Sequence, residues 1–170
     1  ALDALRAAGQ DAELTIVGRC PANVQTHPRV TYAGYLDKNR ARDMARLTRL
    51  LSRAHLLLLP TRGDCTPMVM AEAMVHGTPV IATDTGGVGA VMGGPGAGLL
   101  MPRFASPSDW ATAIGEMTRD PDRYRFYSET AFDRARTELT WTSWSDAVAR
   151  LAQGVLTADA KRGLKVAIGT

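Results

Sequence analysis

The chain has 170 residues, 45% of them apolar and 22% charged. That composition fits an ordinary folded domain and excludes a disordered or fibrous chain; the length suits one α/β domain and is short for two. The net charge is +3 with no dense Lys/Arg cluster interleaved with aromatics, which argues against a nucleic-acid partner and leaves anionic small molecules open.

The elements follow in chain order from periodicity and punctuation. Residues 1–9 place Leu2, Leu5 and Ala8 on one helical stripe that Gly9 ends. This stripe starts at once, with no capping residue before it, so the chain is expected to be a piece of a longer protein. Ala12 to Val17 reads as a buried strand, closed by Gly18, and Val30 to Gly34 as a second. Asp37 or Asn39 can cap a helix reaching about Arg53, with Met44, Leu47, Leu50 and Leu51 turned inward. His55 to Leu59 is a Leu run ended by Pro60, which suits a strand covered on both faces. Thr66-Pro67 is a helix start, a hydroxyl cap followed by Pro at the first helical position, and that helix stops at His76-Gly77. Pro79 to Thr83 and Gly98 to Met101 are two more strands, separated by the Gly86-Gly87 loop. Helices are expected at about 107–118, 121–138 and 141–156. Strands alternating with helices imply a Rossmann-like parallel sheet with helices on both faces. The expected domain covers 1–156, with 157–170 as a tail that includes a strand-like run at 164–168.

In an open parallel sheet, ligands bind beyond the carboxyl ends of the strands. Two loops there are candidates. Pro60-Thr61-Arg62-Gly63-Asp64-Cys65-Thr66 leads into a helix whose N-terminus offers free N–H groups and partial positive charge. Thr83-Asp84-Thr85-Gly86-Gly87 carries glycines that let backbone approach a ligand closely. Asp64 stands at the crevice mouth, and Glu72 lies on the order of 8 Å beyond the helix start. One acid could touch the sugar end of a nucleotide sugar while the other reaches its ribose, since a carboxylate accepts hydroxyl hydrogen bonds well. Glu72 could instead be a solvated helix position, but Met70, Ala71, Ala73, Met74 and Val75 make its helix apolar almost all round.

The string from Pro60 to Met74 with Asp64 and Glu72, followed by Gly77 to Asp84 and Gly86-Gly87, resembles the donor-domain signature of retaining GT-B glycosyltransferases of the group 1 family. Leu14 to Gly18, Gly34-Tyr35-Leu36 and Trp141-x-x-Trp144 extend the resemblance over about residues 1–156. It implies one half of a two-domain enzyme that moves a sugar from a UDP-, GDP- or ADP-sugar to an acceptor held mainly by an N-terminal domain. It also implies retention of anomeric configuration, no cofactor and no bound metal. By the same resemblance Asp64 is the catalytic acid near the anomeric carbon and Glu72 binds the ribose hydroxyls. The backbone of Cys65, Thr66, Pro67, Met68 and Val69, together with Gly86 and Gly87, wraps sugar and diphosphate, and Leu36 lies where the base packs. Three departures bear on catalysis: Asp64 stands where Glu is usual, Pro67 removes an N–H donor where Gly is usual, and Ala90 stands where an acid is common. The basic pair that would neutralise the diphosphate is expected upstream of Ala1, so these residues alone are expected to transfer no sugar.

Cys20 and Cys65 match no metal spacing and read as reduced thiols of a cytoplasmic protein. Arg42, Arg46, Arg49 and Arg53 form one stripe, read as a solvated face with peripheral contact to an anionic membrane as the alternative. Trp141 and Trp144 are expected to pack the last helix onto this domain or its missing partner. The alternative function is a nucleotide-binding or interaction module of the same fold without turnover. In the order 3-2-1-4-5-6 an absent first strand would leave a slot beside the strands at 12–17 and 55–59. Leu164 to Ile168 could fill that slot, or it could begin a further segment.

Overall fold

A computed structural model describes residues 1–19 and 26–160 of the chain. The run at 164–168 and Cys20 lie outside the described residues. Helix α1 (Leu2–Ala7) leads to strand β1 (Leu14–Val17), which pairs in parallel with β2 (Val30–Gly34). Helix α2 (Ala41–Arg53) follows, then β3 (Leu57–Leu59), α3 (Met68–Met74), β4 (Val80–Thr83), α4 (Val88–Met92) and β5 (Gly98–Met101). Three helices close the chain: α5 (Pro107–Thr118), α6 (Pro121–Thr137) and α7 (Trp141–Ala160). β3, β4 and β5 form a second parallel sheet in that order. The pair β1-β2 and the run β3-β4-β5 are the two runs that flank the first strand in the expected order, and no ladder joins β1 to β3 among the described residues.

β4 is central and buried along its whole length, so its alternating side chains divide the core. Val80 and Ala82 point into a cluster with Leu36, Leu47, Leu51, Met70 and Met74, beneath α2, α3, α4 and α6. Ile81 points the other way, into a cluster with Leu5, Ile114 and Met117 from α1 and α5. Helices therefore cover both faces, as the sequence predicts. Thr78, buried at the entry to β4, donates from its hydroxyl to the Leu51 carbonyl at 2.8 Å and ties α2 to the sheet.

Local chemistry sets several boundaries. Ser106 and Asp109 form a capping box at the start of α5, with Pro107 at the first helical position. The hydrogen bonds from the Ser106 backbone and hydroxyl hold the Asp109 carboxyl below its ordinary value. Asp120 caps α6 by accepting from the N–H groups of Asp122 and Arg123. Burial pushes the Tyr124 phenol up, and its hydroxyl donates to the His55 carbonyl, fastening α6 to the approach to β3.

Other expectations are corrected. The strand expected at 12–17 as buried is β1, starting at Leu14, with Thr15 and Val17 exposed. The strand expected at 55–59 as covered on both faces is three residues long and only half-buried. Among the described residues each of these strands has a ladder on one side only. Met44 is 41% exposed, because Leu47 and Leu51 define the inward face of α2 and Met44 lies at its margin. Arg40 occupies the N-cap of α2 without a side-chain bond; Asp37 instead accepts from the Asn39 N–H and forms a local turn. α4 was not anticipated, since five residues between glycines give no periodic signal. The expected domain edge at 156 falls inside α7. Trp141 and Trp144 do not pack onto the domain: they are 80% and 60% exposed and meet each other edge to face.

If β4 is the central strand and β3 an edge, truncation should separate them. Ile81→Ala should cost about 2–5 kcal/mol, the range for buried aliphatic truncations. Leu58→Ala should cost roughly half as much in this chain, because that side chain already keeps part of its surface in water. Chemical denaturation of both variants checks the order.

Candidate functional site

The carboxyl ends of β2, β3 and β4 each open into a loop; one polar link joins two of these loops and a second joins the third to α3. The first link joins the β3–α3 and β4–α4 loops. The Gly87 N–H donates to the Asp64 carbonyl at 3.0 Å. A Cβ built on Gly86 would lie 2.1 Å from the Asp64 carbonyl oxygen, and one on Gly87 would lie 1.8 Å from that of Cys65. Gly86 also holds a φ of +53°. The two glycines are therefore required by the neighbouring loop, whose backbone fills the space where side chains would stand. The sequence suggests close approach to a ligand; what lies against these glycines is the backbone of Asp64 and Cys65.

The β3–α3 loop is further shaped from within. Asp64 Oδ1 accepts from the Thr66 N–H at 3.0 Å, and Thr61 Oγ1 accepts from the Gly63 N–H at 3.3 Å. Thr66 was expected to cap the helix; the cap position belongs to Pro67, with no side-chain bond, and α3 begins at Met68. Asp64, two residues before Thr66, instead forms a local turn with the Thr66 N–H. Cys65 and Met68 are exposed on the same stretch, Val69 is half-buried, and Pro67 is buried. As in any helix, the first turn of α3 leaves backbone N–H groups without intrahelical partners.

The second link joins the β2–α2 loop to α3. Lys38 Nζ lies 2.5 Å from Glu72 Oε1. Met70, Ala73 and Met74 form the buried face of α3, and at about 100° per residue Glu72 falls on the opposite side. Its side chain is nonetheless only 31% exposed, and Oε2 is buried without a hydrogen-bond partner among the described residues. Leu36, two residues before Lys38, is buried in the core against α2 and α3. It can offer a base its backbone and not its side chain; Tyr35 beside it is 72% exposed. Nothing in the motif pointed to Lys38. The available signal was its rarity: the chain holds 17 arginines and three lysines, and the other two are Lys161 and Lys165.

Elsewhere, the Ala90 and Val91 carbonyls of α4 accept from the Arg134 guanidinium at 2.9 and 2.8 Å, so the position where an acid is common serves as a backbone contact to α6. Arg42, Arg46, Arg49 and Arg53 are exposed along α2. Among the described residues there is no group of three His, Cys, Asp or Glu side chains placed to hold a metal ion, and no helix is long and apolar enough to cross a membrane.

Residues 1–120 match the family model for glycosyl transferases, group 1. The chain belongs to this family. It is 34% identical over 98 residues to the D-inositol 3-phosphate glycosyltransferase of Corynebacterium jeikeium, covering 58% of this chain and 23% of that protein. It is 30% identical over 101 residues to the alpha-maltose-1-phosphate synthase of Mycolicibacterium smegmatis, covering 56% of this chain and 26% of the relative. This group 1 chain thus spans about a quarter of the length of the curated relatives it matches. Its fold superposes on 76% of this chain and 31% of sucrose-phosphate synthase from Thermosynechococcus elongatus, with a TM-score of 0.61 and 27% identity. It also matches the Anabaena protein HepE, solved with UDP-glucose, over 90% of this chain and 44% of that one, with a TM-score of 0.68 and 20% identity.

The glycine contact yields a test. Gly87→Ala should cost about 1–3 kcal/mol, as overpacking against fixed backbone does, and lower the melting temperature by roughly 3–10 °C. Gly63→Ala, where nothing lies within 4 Å of the added carbon, should leave it within about 2 °C of the parent. Thermal unfolding of the two variants side by side checks the contrast.

Proposed function

We propose that this chain binds the nucleotide-sugar donor in a retaining, cytoplasmic glycosyltransferase that takes a UDP-, GDP- or ADP-sugar. The observation that supports it most is the joining of three strand-end loops around two acids, Asp64 on one loop and Glu72 on the helix that follows. In the reaction the bond from the anomeric carbon to the nucleoside diphosphate breaks, the diphosphate leaves with the electron pair, and an acceptor hydroxyl oxygen forms the new bond as its proton passes to the departing diphosphate oxygen. Asp64 contributes negative charge beside the anomeric carbon, where positive charge develops. Glu72 accepts from the ribose hydroxyls, and the backbone from Cys65 to Val69 lies along the diphosphate. The reading assigns the chain no metal and no cofactor, and it leaves the acceptor mainly to an N-terminal domain. HepE, which shares the fold, is described with UDP-glucose, and this accords with a nucleotide-sugar donor. Should the whole protein meet an anionic membrane, the arginine stripe of α2 is the matching surface on this chain.

Two substitutions test the assignment in the full-length protein. Glu72→Ala should weaken nucleotide binding by about 1.5–3 kcal/mol, as loss of hydrogen bonds to a charged group does; unchanged affinity by calorimetry would remove Glu72 from the site. Asp64→Asn should lower kcat by at least about tenfold while free-nucleotide affinity moves less than about threefold, because its contribution belongs to the transition state. Normal turnover in that variant would refute the role. Nucleotide binding with no sugar transfer by the parent protein would favour the binding-module alternative.

A further inference from the structure

We propose that the outer face of α2 is a docking surface for an anionic membrane, engaged through the row Arg42, Arg46, Arg49 and Arg53. The inference stands apart from the donor-binding role of the crevice, and either can fail without the other.

The row is set by the helix period. At about 100° per residue the four arginines fall within a sector of about 60°, opposite the buried Leu47 and Leu51. They span about 16 Å of helix axis, and all four are exposed. Ala45 and Ser52 beside them are small, and Arg42, Ala45, Arg46 and Arg49 line a shallow hollow. Among the described residues no acid forms an ion pair with any of the four. Asp43, the one acid of the helix, instead accepts from the Asp37 N–H at 3.2 Å. Elsewhere arginines do face acids: Arg29 meets Asp11 and Glu13, Arg125 meets Asp122, and Arg134 meets Glu138. Like charges three and four residues apart weaken a helix, and an anionic partner relieves that repulsion.

Shape and composition choose the partner. The helix is convex and the row is straight, so a flat surface meets all four guanidinium groups at once. Each group is a planar fork that engages phosphate oxygens in pairs, and the headgroups of an anionic leaflet supply phosphates across a plane. Nucleic acid fits less well, because α2 carries no aromatic residue on which a base could stack. Met44, Leu47 and Leu51 lie on the far side of the helix from the row. Nothing on this face enters the acyl region, so the contact stays at headgroup level and weakens with salt. α2 begins beyond the carboxyl end of β2 and returns to the amino end of β3. The row therefore runs down the outside of the domain, away from the crevice, and a membrane seated on it leaves the crevice open.

The test is sedimentation of the full-length protein with vesicles. Vesicles of equal parts phosphatidylcholine and phosphatidylglycerol should carry the protein down at about 0.15 M salt and release most of it at about 0.5 M. Vesicles of phosphatidylcholine alone should leave it in solution. An arginine near an anionic leaflet strengthens binding by roughly fivefold, so Arg46→Gln combined with Arg49→Gln should weaken it by at least about tenfold. Arg46→Lys combined with Arg49→Lys keeps the charge and should stay within about threefold of the parent. Arg125→Gln combined with Arg136→Gln removes the same charge from α6 and should also stay within about threefold. All variants should melt within about 2 °C of the parent, as surface substitutions do. The inference is overturned if anionic vesicles do not bind the parent, or if phosphatidylcholine binds it equally. It is also overturned if the two glutamine pairs have the same effect, since net charge alone, or a contact elsewhere, then accounts for the binding. Tighter binding to a short DNA duplex than to the vesicles, lost in the Arg46 and Arg49 glutamine pair, would make the row a nucleic-acid surface and overturn the membrane reading.

Discussion

The placement of Asp64 depends on the close packing of backbone against backbone between the β3–α3 and β4–α4 loops. The carbonyls of Asp64 and Cys65 occupy the space a side chain would need at 86 and 87, and one hydrogen bond from Gly87 holds the loops in register. This contact is possible because β3 and β4 are adjacent and parallel, so their exits lie side by side. β4 is rigid because it is buried throughout. The position of Asp64 therefore traces back to the core: Val80, Ile81 and Ala82 fix β4, β4 fixes the glycine turn, and the turn fixes the loop that carries the acid.

How far this was legible in the sequence follows from which signals are local. The Pro60 to Met74 string identified the loop and its helix, and Gly86-Gly87 was marked as a place of close approach. What the glycines approach was not legible, because a pair of glycines after a strand says only that a side chain is unwelcome. The same limit explains Thr66. A hydroxyl before Pro is a good cap on paper, but Asp64 two residues upstream offers a competing acceptor, and Asx turns commonly compete with helix capping. α4 is too short to show a period. Lys38 could not be read from periodicity at all, since its partner is 34 residues away on another element.

Strand burial was the least legible quantity. Leu56 to Leu59 and Ala12 to Val17 look alike as apolar runs, and both suggest strands covered on all sides. Among the described residues each has a ladder on one side and is wetter, while the equally apolar β4 has two ladders and is dry. Composition reports what a strand could bury; the strand order decides what it does bury. Trp141, Trp144, Val148, Leu151 and Val155 illustrate the same separation on a helix. Their three- and four-residue spacing gives α7 one apolar stripe, yet all five side chains stand exposed.

The site also spans a division in the sheet. Leu36 and Lys38 leave from the β1-β2 pair, whereas Asp64 and Glu72 leave from β3, and no ladder connects the two sheets among the described residues. Their relative placement must come from side chains. α2 supplies it: Leu47 and Leu51 pack with Leu36 on one side and with Met70 and Met74 of α3 on the other, while the Thr78 hydroxyl holds the carbonyl at the end of α2. Dispersion contacts of this kind are short-ranged, so a shift of the helix by a fraction of an ångström forfeits much of their energy. The apolar cluster is accordingly what sets the reach from Lys38 to Glu72. Hydrogen-bonded ladders bring Asp64 to the glycine turn, and packed leucines and methionines bring Lys38 to Glu72. The two acids are thus placed by different contacts that meet in one apolar cluster, since Val80 and Ala82 of β4 pack with Leu47 and Leu51 of α2.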